Sequence, residues 1–335
     1  MIKEAISKVM NGTDLSREEA LMVMDEIMGG EAQPSQVSAF LVALHIKGET
    51  VEEITACADG MRKFATKVDR EGKDVIDIVG TGGDRSNTFN ISTVASFVAS
   101  AAGVAVAKHG NRAASSKCGT ADCLEALGVN LMVEPERNAE ILREVDMCFM
   151  FAQKYHTAMK YVGPVRRDIG VPTVFNILGP LTNPASNNFQ LLGVYSESLL
   201  EPIAMSLNNL GLKRAMVVYG EDCIDEISLS APTSVCELDN GQIKKYQITP
   251  EDFGFKKCDK SELVGGTPEE NAGIVREILG GKAGAMRDAV VLNAGAAIHI
   301  VKGVSMEEGI RQAQAAIDSG AALAKLDAFI EATNN

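Results

Sequence analysis

The 335-residue chain has no tryptophan, and aromatic residues make up only 5% of it. Its core must therefore be aliphatic and alanine-rich. Positive charge is also short: 32 Lys and Arg face 45 Asp and Glu, a net charge of −13. A broad nucleic-acid footprint needs a basic surplus, so no nucleic-acid partner is expected. An acidic chain that binds an anion must supply local cations, backbone amides or a metal. No run is long enough to span a membrane. The most apolar stretch, residues 94–107, is short and interrupted by Ser96, Ser100 and Gly103. The seven cysteines (Cys57, Cys118, Cys123, Cys148, Cys223, Cys236 and Cys258) form no C-x-x-C spacing, so structural zinc is not expected. With a start, Met1-Ile2-Lys3-Glu4, that carries no targeting character, this composition reads as reduced thiols in a cytoplasmic protein.

The remaining composition, 46% hydrophobic and 23% charged, is that of an ordinary globular chain. Residues 1–70 read as helices only. Ser16 with Glu19 and Thr50 with Glu53 are capping boxes, each opening an apolar-periodic segment. Between them residues 37–45 are almost wholly apolar, which predicts burial against another helix or another subunit. After the polar turn Glu71-Gly72-Lys73, β-branched residues 75–79 predict a strand, 92–102 a helix, 104–107 a strand and 121–127 a helix. That order implies a parallel sheet with helices on its faces. Further strands are predicted at 147–152, 191–195, 215–219 and 289–292, and antiparallel strands within 230–260. A helix is expected from the capping box at Thr267, with Pro268 first, and terminal helices over 305–332. Residues 162–184 hold Gly163, Pro164, Gly170, Pro172, Gly179, Pro180 and Pro184, a density that predicts a crossover or hinge. The expected fold is α/β. A small all-helical N-terminal domain spans 1–70, with a contribution from about 162–186, and a large domain with a mainly parallel central sheet spans 71–335.

Two polar loops carry the functional signal. Gly80-Thr81-Gly82-Gly83-Asp84 follows the first strand, where glycines let the backbone approach an anion. Asn90-Ile91-Ser92-Thr93 then opens a helix, whose free amides suit phosphate. Alone, the glycine turn serves structure as readily as function. The second loop, Lys108 to Thr120, adds three cations, three hydroxyls and two glycines facing the same crevice. Asp225-Glu226 follows another predicted strand and offers oxygens for Mg²⁺, although such pairs are commonly solvated surface.

Taken together these segments, with Gln36 to Arg62 and Phe175 to Pro184, resemble anthranilate phosphoribosyltransferase of tryptophan biosynthesis over essentially the whole chain. The resemblance implies transfer of a phosphoribosyl group from 5-phosphoribosyl 1-pyrophosphate to anthranilate, with release of pyrophosphate. It implies donor binding by Gly80, Gly83, Asp84, Thr88, Asn90, Ile91, Ser92 and Thr93, together with Lys108, Ser116 and Thr120, and substrate binding also by His109, Gly110, Arg112, Ala113, Ala114 and Ser115. Asn111 and Arg166 would hold anthranilate, and Ser92, Asp225 and Glu226 would position Mg²⁺. Lys108 and Arg166 are the candidate catalytic residues. A homodimer through the helical domain is also implied. The family commonly has Phe-Ala-Pro-x-x-His-Pro-Ala where this chain has Phe151-Ala152-Gln153-Lys154-Tyr155-His156-Thr157-Ala158. Without prolines to fix φ, that acceptor-side loop is expected to be less preorganised.

The histidines need no catalytic role. An aromatic amine is unprotonated at neutral pH, so no strong base is required. His109 and His156 fall in polar stretches expected to line the cleft, with packing or a backbone hydrogen bond as their expected role. Two related activities share much of this pattern. One is a pyrimidine nucleoside phosphorylase, whose Lys-x-Ser-Gly-Arg loop is similar to Lys108 to Arg112. The other is a phosphoribosyltransferase for another aromatic acceptor.

Overall fold

The computed structural model describes residues 1–113 and 117–335. Four helices come first: α1 (Ile2–Met10), α2 (Arg17–Met28), α3 (Pro34–Lys47) and α4 (Val51–Phe64). The capping boxes at Ser16 and Thr50 close α2 and α4 as expected. Glu53 does more than cap. It is fully buried, accepts from the Leu15 amide at 2.9 Å and pairs with Lys47 at 2.9 Å, tying α3 and α4 to the α1–α2 link.

The larger part alternates β1 (Ile76–Gly80), α5 (Ile91–Ala101), β2 (Val106–Gly110), α6 (Thr120–Ala126), α7 (Pro135–Val145) and β3 (Met147–Phe151). Short helices α8 (Ala152–Tyr155), α9 (Gly163–Ile169) and α10 (Phe175–Leu181) lead to β4 (Phe189–Gly193), α11 (Leu200–Asn209) and β5 (Arg214–Gly220). A hairpin, β6 (Thr233–Asp239) and β7 (Gln242–Ile248), precedes α12 (Pro268–Leu279), α13 (Ala285–Lys302), α14 (Met306–Asp318) and α15 (Ala321–Asn334). The seven strands form one sheet in the order β3-β2-β1-β4-β5-β6-β7. The first five are parallel to their neighbours, and β6 and β7 run antiparallel. The expected fold class is thus the observed one.

Strand periodicity divides the core. Leu191, Met216 and Val218 face α5, α13 and the C-terminal helices, whereas Leu192, Ala215 and Val217 face α11 and the N-terminal helices. Residues of α9 and α10 join this second cluster, so the turn-rich stretch 162–184 folds as helices beside the N-terminal ones. No single helix among the described residues is long and apolar enough to cross a membrane.

Two expectations need correction. Residues 289–292 are not a strand but lie inside α13. A short run of apolar residues has no period of its own, and this helix is buried on nearly every side from Ala289 to Ile298. The second strand begins two residues later than expected, so Lys108, His109 and Gly110 end β2 rather than start a loop. Gly110 pairs with Phe151 of β3, which extends the ladder to that point.

Two glycines allow α13 and α14 to touch through their backbones. A Cβ on Gly309 would lie 2.3 Å from the Gly295 carbonyl oxygen, and one on Gly295 would lie 2.8 Å from the Ile310 nitrogen. Backbone cannot rotate aside as a side chain does. Gly309→Ala is expected to cost about 1–3 kcal/mol through overpacking, read as a lower urea midpoint with unchanged slope.

Candidate active site

From β1 the chain passes to β2 on one side, and it later returns to β4 on the other. The carboxyl ends of β1 and β4 therefore open a crevice of the kind that holds ligands in α/β sheets. A cleft of about 720 Å³ lies there. Both strands end in glycine at paired positions, Gly80 and Gly193. The reason is Asp225. A Cβ at Gly80 would sit 2.2 Å from its Oδ2, and one at Gly193 would sit 1.5 Å from its backbone oxygen. Sequence reasoning missed Gly193, whose only signal is a glycine closing an apolar strand.

Asp225 accepts from the Gly82 amide at 2.6 Å, so part of the glycine turn is oriented by a carboxylate of the same chain. Asp84, Asp225 and Glu226 each place a carboxylate oxygen within 4.8 Å of the others. Asp84 Oδ2 and Glu226 Oε2 are buried and lack hydrogen-bond partners among the described residues. Burial first, and Asp84 second, push the Asp225 carboxyl up to about 7. Burial first, then Asp225, raises Glu226 well above the carboxylate range. Such a cluster of hard, unpartnered oxygens fits a divalent cation. Asp84 joins it, although its sequence reading was donor binding alone.

Lys108 is the only cation beneath this cluster among the described residues that line the cleft with its side chain fully buried, at 1% exposure. Its Nζ donates to the Ile78 carbonyl and to Ser92 Oγ, the latter at 3.3 Å. Burial lowers its ammonium to about 8, against the pull of Asp77, Glu226 and Asp225. Asp77 lies within β1 and accepts from Asn183 Nδ2 at 2.7 Å and from the His109 amide at 3.2 Å. Burial raises its carboxyl to about 6. Ser92, near the start of α5, reaches Lys108 and lines the cleft.

The outer wall of the first loop is held from far along the chain. Thr88 bridges Val264, the Phe89 amide donates to Leu263, and the Gly265 amide donates to Asn87. Asn90 is the N-cap residue of α5, yet its side chain makes no cap bond and instead meets Cys118.

Across the cleft His109 and His156 pack ring against ring, with centroids 4.9 Å apart and planes tilted by 59°. His109 Nδ1 lies 3.2 Å from the Gly179 carbonyl, which makes Nδ1 the protonated nitrogen. Burial depresses His109 to about 3 and His156 to about 4, so both rings are neutral at physiological pH. Arg166 lines the cleft with its guanidinium 5.7 Å from the Phe175 ring centroid and forms no ion pair among the described residues. Arg167 is exposed. The loop without prolines is helical in part. Residues 152–155 form α8, and Tyr155 is fully buried, with its hydroxyl accepting from Asn138 Nδ2 at 2.6 Å.

Of the residues singled out from sequence, Gly80, Gly83, Asp84, Thr88, Asn90, Ser92, Lys108, His109, Gly110, Asn111, Arg112, Ala113, Thr120, Arg166, Asp225 and Glu226 line this one cleft. Ile91 and Thr93 do not. Ile91 packs in the core, and Thr93 is buried with its hydroxyl 3.5 Å from Thr120 Oγ1. Arg112 is already paired with Asp122 and Glu125, at 2.9 and 2.8 Å. Ala114, Ser115 and Ser116 lie outside the described residues.

Lys108→Met keeps the buried stem but removes the charge that Asp77, Asp225 and Glu226 share. Breaking a buried charge set in this way is expected to cost about 3–5 kcal/mol in urea unfolding. Loss of less than about 1 kcal/mol would mean that water already compensates these carboxylates.

Comparison with known proteins agrees with this geometry. Residues 3–65 match the helical bundle domain of the glycosyl transferase family, and residues 72–323 match its a/b domain. The chain is 57% identical to an anthranilate phosphoribosyltransferase of Methanobrevibacter smithii, with all of both chains covered. It is 56% identical to that of Lachnoclostridium phytofermentans, covering 100% of this chain and 99% of the relative. The crystal structure of the Thermus thermophilus enzyme superposes with a TM-score of 0.94 at 44% identity, covering 99% of each chain. A Saccharomyces cerevisiae anthranilate phosphoribosyltransferase in complex with phosphoribosyl pyrophosphate and Mg superposes with a TM-score of 0.90 at 30% identity, covering 99% of this chain and 98% of that one. These full-length matches place this chain in the anthranilate phosphoribosyltransferase family.

Proposed function

We propose that the cleft transfers the phosphoribosyl group of 5-phosphoribosyl 1-pyrophosphate to the amine of anthranilate, releasing pyrophosphate, as a step of tryptophan biosynthesis. The observation that carries this reading is the carboxylate cluster of Asp84, Asp225 and Glu226 beside the glycine turn and the start of α5. It gives one cleft a place for a cation, a place for phosphate and, on the far side, the unpaired guanidinium of Arg166. The yeast relative, solved with this donor and Mg, supports the assignment.

In this reading Gly80, Gly83, Thr88, Asn90, Ser92 and the β2–α6 loop bind the donor through amides and hydroxyls. Asp225 and Glu226, with Asp84 and Ser92, would hold Mg²⁺, which would neutralise the charge that grows on departing pyrophosphate. Lys108 orients Ser92 and balances the carboxyl groups of Asp77, Asp225 and Glu226. Arg166 offers a planar fork to the anthranilate carboxylate. His109 and Asn111 line the same side. The neutral rings keep the amine free of a competing positive charge. Attack comes from the face opposite pyrophosphate and inverts the anomeric carbon. The helical domain comprises residues 1–70 and about 162–186, and 162–184 serve as its hinge with the α/β domain at 71–335. The protein works in the cytoplasm as a homodimer through the helical domain. Exposed Met10 on α1 and Ile46 on α3, 72% and 80% accessible, give that domain apolar surface to cover.

Loss of anthranilate fluorescence tests the reaction. It is expected only with enzyme, donor and Mg²⁺ together, and loss without donor would refute the transfer. Arg166→Ala is expected to raise the KM for anthranilate at least tenfold more than that for the donor, on the order of one charged hydrogen bond. Equal changes in both would remove the carboxylate clamp.

The metal assignment has a readout separate from turnover. The Asp225 and Glu226 carboxyls have folded-state values above their unfolded ones. Their cost to stability is therefore absent below about pH 4 and, for Asp225, complete above about pH 7. Millimolar MgCl₂ is expected to raise the thermal midpoint at pH 8 and to leave it unchanged at pH 4. In Asp225→Asn/Glu226→Gln both the shift at pH 8 and most turnover should disappear. An undiminished shift in that variant would move the cation elsewhere.

A further inference from the structure

Gly119 is the N-cap residue of α6, so Cys118 stands just before the cap and Cys123 is the fourth residue of the helix. Side chains at these two positions meet in a hydrophobic staple. Here both are thiols, and both are buried in the same apolar cluster. Cys123 is fully buried behind Cys118, which is 6% exposed and lines the cleft. No disulfide joins any of the seven cysteines, and the reaction proposed above uses none of them. We propose that Cys118 and Cys123 are an oxidation site, at which a small hydroperoxide entering the cleft closes a disulfide across the start of α6 and weakens the donor site.

The chemistry balances with that oxidant. The Cys118 thiolate attacks one peroxide oxygen, the O–O bond breaks, and a sulfenic acid and one water result after proton uptake. The Cys123 sulfur then attacks the sulfenic sulfur, an S–S bond forms, the S–O bond breaks, and a second water leaves. In sum two thiols and hydrogen peroxide give one disulfide and two waters, with two electrons passing from sulfur to oxygen. The roles follow from the surroundings. The Cys123 hydrogen bond first, and Asn271 also, hold the Cys118 thiol below its ordinary range, while the Cys118 bond and burial push Cys123 far up. The more acidic, cleft-facing thiol is the one a peroxide meets, and the buried one resolves the sulfenic acid.

The consequence runs through Asn90. Its Oδ1 accepts from Cys118 Sγ at 3.4 Å and its Nδ2 donates to the Cys118 carbonyl at 3.4 Å. A disulfide sulfur has no hydrogen to donate, so one of these two ties between the start of α5 and the β2–α6 loop is lost. Asp122 anchors the same loop through the Ala113 and Gly119 amides, at 2.9 and 3.0 Å, so a shift of the helix start carries the loop with it.

The test uses the full, reduced chain treated with hydrogen peroxide and digested with trypsin without reductant. The peptide after Lys117, ending at Arg137, contains only these two cysteines. Its mass is expected to fall by two hydrogens, whatever the acceptor of the enzyme proves to be. The transfer rate should fall on the order of fivefold, the worth of one net hydrogen bond, and return with dithiothreitol. Cys123→Val keeps an apolar staple and should retain the parent rate both before and after peroxide. Cys223→Ser, which removes the exposed thiol, should behave as the parent does. The proposal fails if oxidation stops at an added oxygen on Cys118, if Cys123→Val is inactivated equally, or if the disulfide forms without change in rate. Should Cys123→Val not fold, the parent peptide mass and rate decide alone.

Discussion

Everything at the cleft depends on one buried ammonium. Lys108 sits under the carboxyl end of the sheet with almost no exposure, and three carboxyl groups, buried Asp77 and Asp225 and half-buried Glu226, act on it. Taking charges out of water is expensive, and mutual attraction repays it only when the geometry is tight. Here the repayment is incomplete. One lysine faces more carboxyl groups than it can pair with, and two of the cluster's carboxyl oxygens have no partner among the described residues. The chain therefore folds around a deficit of positive charge at one point. In the proposed reaction a cation would complete that point and would stabilise the departing pyrophosphate.

The same economy explains the polar floor beneath α10. Its segment carries no charge to the sheet, only amides and carbonyls. Asn183 Nδ2 donates to Asp77 and to the Ala107 carbonyl, Gln190 Nε2 donates to the Pro180 carbonyl, and Gly179 offers its carbonyl to His109. Each of these groups would be costly if left unmade. Together they fix where the turn-rich stretch crosses the sheet. They also set the His109 tautomer and place Arg166, one helix earlier, over Phe175.

Close approach is the second recurrent device. Strands β1 and β4 end in glycine so that Asp225 can cross them, and Gly295 and Gly309 let α13 and α14 meet backbone to backbone. An alanine-rich core with few aromatics suits this design. Small side chains bring elements near each other, and packing is then set by main-chain geometry rather than by large interlocking rings.

The sequence by itself determined the helical start of the chain, the first strand–helix–strand–helix stretch, the capped helices at Ser16, Thr50 and Thr267, and the two polar loops after β1 and β2. It did so because caps, glycine turns and β-branched runs are local, and their physics is complete within a few residues. It did not determine whether residues 289–292 would be strand or helix, because an apolar run buried on every side has no period to read. Nor could it tell that Asp84 joins Asp225 and Glu226, or that Arg112 is occupied by Asp122 and Glu125. Gly193 and the 263–265 wall were illegible for the same reason. Each gains its meaning only from a partner outside its own segment, 10 residues away for Arg112 and Asp122, and 143 for Gly82 and Asp225. Tertiary structure decided these, because burial and charge pairing depend on which distant groups the fold brings within a few ångströms.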